Sequence, residues 1–278
     1  MITRRNFIQT SLQTSALLAA DFSLGSFANK QQHSIGVLLG TVEKFMTEDA
    51  DATLKKIAAI GFKEIEYPRT YGYAADNLKS IIKKYKLTSL GGGENITNLT
   101  NHFAVYVQEY NEMGKQYVFC YWGWFDNGKN KTIEDWKKQC DILNKLGEKY
   151  RQQGLRLAYH NHDIEFAVTE NQIPYDVLLQ NTNPEFICFE MDIWWIVKGG
   201  ANPLDFIAKY PGRFEVCHIK TAGLLAGNEE AQNLNYKEVL SNSAKAGLKH
   251  FILENEPGIE NPFNYFEKSY AYIKGILQ

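Results

Sequence analysis

From Ile35 onward the chain alternates short apolar runs with longer amphipathic ones, and that rhythm limits the fold more than any other feature. IGVLL, EIEY, LTSLG, YVFCYW, LRLAYH, FICFEMD, FEVCHIK and HFILENE are short, rich in aliphatic or aromatic residues, and read as eight buried strands. Helical patterns separate them. In DADATLKKIAAIG, Leu54, Ile57 and Ala58 share a face and Gly61 supplies a stop. DNLKSIIKKYK, TIEDWKKQCDILNKLGEKYRQQG and LNYKEVLSNSAKAG are further helical patterns, and a last helix is expected from about Pro262 to Ile276. Strands separated by crossover helices pair in parallel, and eight of them close into a (β/α)8 TIM barrel of about 250 residues. An open doubly wound sheet is the rival, but GTVEKFMTED after the first strand lacks GxGxxG and GxxxxGK[ST]. Gly91-Gly92-Gly93 is expected to be a turn that clears space at the barrel mouth.

A chain of 278 residues with 44% hydrophobic content can bury one large core, so residues 31–278 are expected to form a single barrel. Residues 1–30 read differently. Arg4 and Arg5 precede Phe7 and a modest apolar stretch from Ser15 to Ala20, the pattern of a twin-arginine export signal. That stretch is too short for a permanent membrane anchor. The expectation is a periplasmic protein, exported folded. A net charge of -2 offers no field for a polyanion, so nucleic acid is not an expected partner. Cys120, Cys140, Cys188 and Cys217 lack CxxC spacing, and strand parity puts Cys188 and Cys217 on opposite faces of the sheet, against a disulfide between them.

In such barrels chemistry gathers at the C-terminal ends of the strands. Here those ends carry Glu66, then His160 and His162, then Glu190 and Asp192, then His218 and Lys220, then Glu254 and Glu256. A lone charge ending an apolar strand is costly unless paired or metal-bound. His162, Asp192, His218 and Glu254 combine hard oxygen with borderline nitrogen donors, a set suited to one divalent ion such as Mn²⁺, Co²⁺, Zn²⁺, Fe²⁺ or Mg²⁺. Taken singly, each has a plainer reading, since strand-end histidines are often structural and an aspartate there often caps the next helix. Glu66 and Glu190 are candidates for substrate contact or for orienting a neighbour. Trp122 and Trp124 after the fourth strand, and Trp195 after Asp192, offer aromatic faces on which a sugar ring can stack.

The runs IGVLLGTVEKFMTEDADATLKKIAAIGFKEIEY, GLRLAYHNHDIEF, FEMDIWWIVKGGANPLDFIAKYPGRFEVCHIK and FILENE closely resemble the sugar phosphate isomerase/epimerase-like proteins of the xylose isomerase-like TIM-barrel superfamily. The resemblance runs from about Ile35 to the C-terminus. It implies a metal-dependent enzyme acting next to a carbonyl of a sugar or polyol, like the ketose 3-epimerases, the inosose dehydratases and the lyases or hydratases of 3-keto-glycosides. It also implies metal ligation by Asp192, His218 and Glu254. Where relatives offer a glutamate on the fifth strand, this chain has Tyr159-His160-Asn161-His162, and the ligand role passes to His162 with Glu165 as substitute.

The expected activity is removal of the proton next to a sugar carbonyl, through an enediolate, by His160 or Glu165 with help from one divalent ion. Lys220 is expected to contact a substrate oxygen or the enediolate charge. Reprotonation gives isomerisation or epimerisation; loss of a β-substituent gives elimination, the expected alternative for a 3-keto-glycoside. A metal-cluster endonuclease would need further ligands, and beyond the strand ends only His33, His102 and His250 remain. A non-catalytic sugar-binding barrel is the other rival. A homo-oligomer is compatible with the sequence, which names neither metal nor sugar.

Overall fold

The structure is a computed structural model that describes residues 34–123, 132–221, 234–254 and 261–278. The twin-arginine segment, His33, Trp124 and Glu256 lie outside the described residues. Eight parallel strands close in chain order: β1 (Ser34–Leu38), β2 (Glu64–Glu66), β3 (Thr88–Asn95), β4 (Tyr117–Trp122), β5 (Arg156–His160), β6 (Ile187–Asp192), β7 (Phe214–Ile219) and β8 (His250–Leu253). β8 pairs with β1, from Ser34 opposite His250 to Val37 opposite Leu253. The ring is thus a (β/α)8 barrel, as the alternation implies.

Side chains alternate faces along each strand, so the core has two parts. Leu90, Tyr117, Phe119, Ala158, Cys188, Val216 and Ile252 fill the inside of the ring. Val37, Ile65, Val118, Leu157, Phe189, Cys217 and Phe251 belong to the larger cluster shared with the helices. Cys188 and Cys217 therefore sit in different layers, and all four cysteines are buried free thiols.

The helices begin where the sequence carries caps. Asp49 accepts the Ala52 amide at the start of Ala50–Ile60, and Gly61 ends that helix with φ 121°. Thr132 and Asp135 cap Ile133–Gln152 reciprocally, and Asn261 caps Pro262–Leu277. LNYKEVLSNSAKAG divides into Tyr236–Ser241 and Ser243–Ala246, with Gly247 left-handed at its end. Among the described residues no helix is long and apolar enough to cross a membrane.

One expectation is corrected here. Gly91-Gly92-Gly93 is not a turn but the middle of β3. A side chain on Gly92 would collide with the Tyr67 carbonyl oxygen, and one on Gly93 with that of Phe119. The pairing slips between Ile65 and Glu66 and again between Glu94 and Asn95, and at Gly92 and Gly93 the neighbouring backbone stands too close for a Cβ.

Candidate active site

Pairing in register brings the polar strand ends into two levels. His160 lies opposite Glu190, and one pleat further up Asp192 lies opposite His218. At the lower level Glu190 Oε2 is 2.9 Å from His160 Nδ1, and its Oε1 is 3.0 Å from His218 Nε2. Glu66 completes this floor. Its Oε2 is hydrogen-bonded to His218 Nε2 at 3.2 Å, and its Oε1 accepts the Tyr121 hydroxyl at 2.5 Å. Above, Glu254 Oε2 faces His218 Nδ1 at 2.7 Å, and Asp192 Oδ2 lies 3.8 Å from His160 Nε2. Lys220 spans the two acids, with Nζ 3.0 Å from Asp192 Oδ2 and 3.4 Å from Glu254 Oε1. The other Asp192 oxygen caps helix Ile193–Lys198 by accepting the Trp195 amide. One Asp192 oxygen thus caps the helix while the other faces Lys220 and His160.

Burial sets the electrostatics, and neighbours then decide the sign. Burial would lower the His218 imidazole, but Glu190, Glu66 and Glu254 outweigh it and hold His218 well above its usual range. Lys220 is raised in the same way by Asp192 and Glu254. Burial works to raise Glu254, yet Lys220 and His218 hold it at about 2. Glu190 is pushed well up by burial and by Glu66, and Asp192 is pushed up by burial. His160, with no carboxylate able to offset burial and the neighbouring cations, is held well below its usual range.

Of the two histidines of AYHNHD, His160 and not His162 lies among the candidate ligand atoms. Alternation along β5 stops at His160, because Asn161 turns into the wall: its amide donates to the Asp192 carbonyl, and its oxygen accepts the Asp192 amide and the Tyr175 hydroxyl. His160, Asp192 and His218 each offer a ligand atom within 4.8 Å of the others; His162 is not in that group. His162 instead stacks nearly parallel to Trp122 and leans on Trp195, ring centroids 6.1 and 5.1 Å away. Burial and then the Lys220 cation push His162 down to about 4.

Glu165 is a further correction. It neither joins the cluster nor lines the cavity. Tyr159, on the helix-facing side of β5, donates its hydroxyl to Oε1 at 2.7 Å, and the His162 amide donates to Oε2 at 2.9 Å. Glu165 sits on a 3-10 turn, Ile164–Phe166, in the layer between strands and helices. Burial, against those hydrogen bonds, raises it to about 7. His102 lies at a helix start and His250 is bonded to Glu64, so neither reaches the rim cluster.

A cavity of about 240 Å³ opens over this cluster, lined on its aromatic side by Tyr121, Trp122 and Trp195 and on its polar side by His160, His162, His218, Lys220 and Glu254. Trp122 is exposed, while Lys220 lies over the rings of Trp194 and Trp195 at 5.2 and 4.9 Å. Asn161, which ties β5 to β6, was missed in the sequence because a strand-end asparagine reads as turn chemistry.

The donor set fits a divalent cation. Glu66, Glu190, Asp192 and Glu254 bring four acidic side chains against His218 and Lys220, the two whose charge the site favours. Asp192 Oδ2 and Glu190 Oε1 are buried, and the groups that face them are cationic, Lys220 Nζ at 3.0 Å and His218 Nε2 at 3.0 Å, a setting that suits a cation.

Comparison with known proteins agrees with this architecture. A sugar phosphate isomerase/epimerase from Parabacteroides distasonis superposes with a TM-score of 0.77 at 19% identity, over 88% of this chain and 96% of that one. The chain shares the TIM-barrel fold of that protein. The 3-keto-D-glucoside 4-epimerase of E. coli shares it at a TM-score of 0.65 and 13% identity, over 88% of this chain and all of that one. In sequence the chain is 27% identical over 164 residues to an inosose dehydratase of Clostridium beijerinckii, 51% of this chain and 54% of that protein. The chain thus spans about half the length of the curated relatives it matches. No protein-family model matches it.

Proposed function

We propose that this barrel is a divalent-metal-dependent enzyme that removes a proton next to a carbonyl of a sugar or polyol, and that it completes the reaction by carbon–oxygen elimination. The observation that carries the reading is the convergence of His160, Asp192, His218 and Glu254, from the ends of four consecutive strands, around one aromatic-walled cavity. These four residues would hold the ion. When bound, a divalent ion supplies Lewis acidity that draws electrons from a carbonyl oxygen and acidifies the adjoining C–H. Relatives named inosose dehydratase, and epimerases of the same fold, support this substrate class.

The protein's own groups then divide the proton work. His162, neutral at physiological pH, is the acceptor for the α-proton. Lys220, held charged by Asp192 and Glu254, is the donor to the departing oxygen. Trp122 and Trp195 take the apolar face of the sugar ring. Epimerisation is the second outcome, and it needs a second acceptor on the opposite face of the carbon. Elimination is favoured because Glu165, the further acid expected for that task, is shut behind Tyr159.

Incubation of metal-loaded protein with free ketoses, inososes and 3-keto-glycosides in D₂O tests this. Release of water or aglycone is the expected result; deuterium at the α-carbon without release would establish epimerisation instead, and neither change on any substrate would refute the reaction class. The Arg4-Arg5 pattern supports a periplasmic location. Exchange of both arginines for lysine is expected to leave the protein in the cytoplasmic fraction; unchanged export would refute that route.

A further inference from the structure

Glu190 is buried beneath both imidazoles and reaches each with a different oxygen: Oε2 to His160 Nδ1 at 2.9 Å, Oε1 to within 3.0 Å of His218 Nε2. Each contact engages the ring nitrogen that faces down into the barrel. The nitrogens left facing up are His160 Nε2, beside Asp192, and His218 Nδ1, beside Glu254. A neutral imidazole has one N–H and one lone pair, and a hydrogen bond at one nitrogen settles which is which.

We propose that Glu190 is the positioning residue of this site: a single buried carboxylate that keeps the His160 proton on Nδ1, and so turns the Nε2 lone pair toward Asp192 as a metal ligand. If the proton of His160 lay on Nε2, the contact of Nδ1 with Glu190 Oε2 at 2.9 Å would require that oxygen to carry a proton of its own, and the His160 N–H would point at an Asp192 oxygen at 3.8 Å, too far for a hydrogen bond. Glu66 supports the same floor, bonded to His218 Nε2 and itself held by Tyr121. The division resembles a carboxylate–histidine–metal relay in which one carboxylate serves two histidines. The effect on metal affinity rests on the proposed function; the tautomer of His160 does not.

Long-range ¹H–¹⁵N spectra of metal-free protein report that tautomer directly. In wild type His160 is expected as the Nδ1–H form, and an Nε2–H form would overturn the proposal, whatever the metal does. Glu190→Leu removes the acceptor, so the Nε2–H form is expected to appear, and Zn²⁺ affinity measured by calorimetry is expected to fall about 10–100-fold. Glu190→Gln keeps an amide oxygen for the Nδ1–H and is expected to restore the tautomer and most of the affinity. Wild-type tautomer and affinity in Glu190→Leu would overturn the proposal. Absence of Zn²⁺ binding by wild type, with the expected tautomer present, would sink the metal reading and leave the positioning role standing.

Discussion

Exchange of Glu165 for glutamine separates a structural acid from a catalytic one. Its folded-state value is raised from 4.5 to about 7 by burial, so the folded chain binds this proton more tightly than the unfolded chain. The protonated form therefore belongs to the stable state: the contribution is intact below pH 4.5 and is lost as pH rises through 7. A tenfold change in proton affinity is worth about 1.4 kcal/mol, so the full loss is about 3 kcal/mol. Glutamine does not titrate. It keeps an oxygen for the Tyr159 hydroxyl but cannot also accept the His162 amide well, which removes about 1–2 kcal/mol at any pH. In urea denaturation, Glu165→Gln is expected to be less stable than wild type at pH 5 and equal or more stable at pH 8. The gap between the proteins should move by about 2.5 kcal/mol across that range, part of the full loss falling below pH 5. A gap that stays constant refutes the buried-acid assignment. Activity at pH 7 is expected to fall less than about tenfold, whereas loss of a general base costs about 10²–10⁴-fold.

Two further outcomes follow from the same geometry. His218 is held protonated, so an ion at Nδ1 must displace that proton. Zn²⁺ affinity is expected to weaken as pH falls from about 8 to about 6, with roughly one proton released per ion in calorimetry across buffers, and a flat profile would contradict this. Gly92→Ala forces a methyl group onto the Tyr67 carbonyl oxygen and is expected to destabilise the barrel by about 1–3 kcal/mol in thermal melts, with an unchanged melting temperature as the opposing result.

The eight strands were legible because each is buried on both faces and so reads as a short apolar run, bounded by polar helices of a different period. The rim was legible for a related reason: a charge ending an apolar run, as Asp192, His218 and Glu254 do, has few cheap explanations. What the sequence hid depends on atoms brought together by tertiary packing. Strand parity places His160 and His162 on one face, and both line the cavity, but Asn161 ends the strand by bonding the Asp192 backbone, and His162 stands outside the group of ligand atoms that His160 joins. Glu165 looks like a second acid in one dimension, yet Tyr159, on the other face of the same strand, captures it. The glycine triplet looks like a turn because turns use glycine, whereas β3 uses it for close approach of strands. Glu190 reads as one more strand-end charge, and only the register of β5 against β6 shows it under two imidazoles.

Calorimetric titration of metal-depleted protein with Mn²⁺ tests the central claim most directly, with Asp192→Asn as the comparison. Asparagine retains the helix-capping oxygen and loses only the charge that faces Lys220 and His160. One ion per chain in wild type, with affinity reduced about 100-fold or more in Asp192→Asn, is the expected result. No ion bound by wild type, or equal affinity in the two proteins, would contradict the metal site.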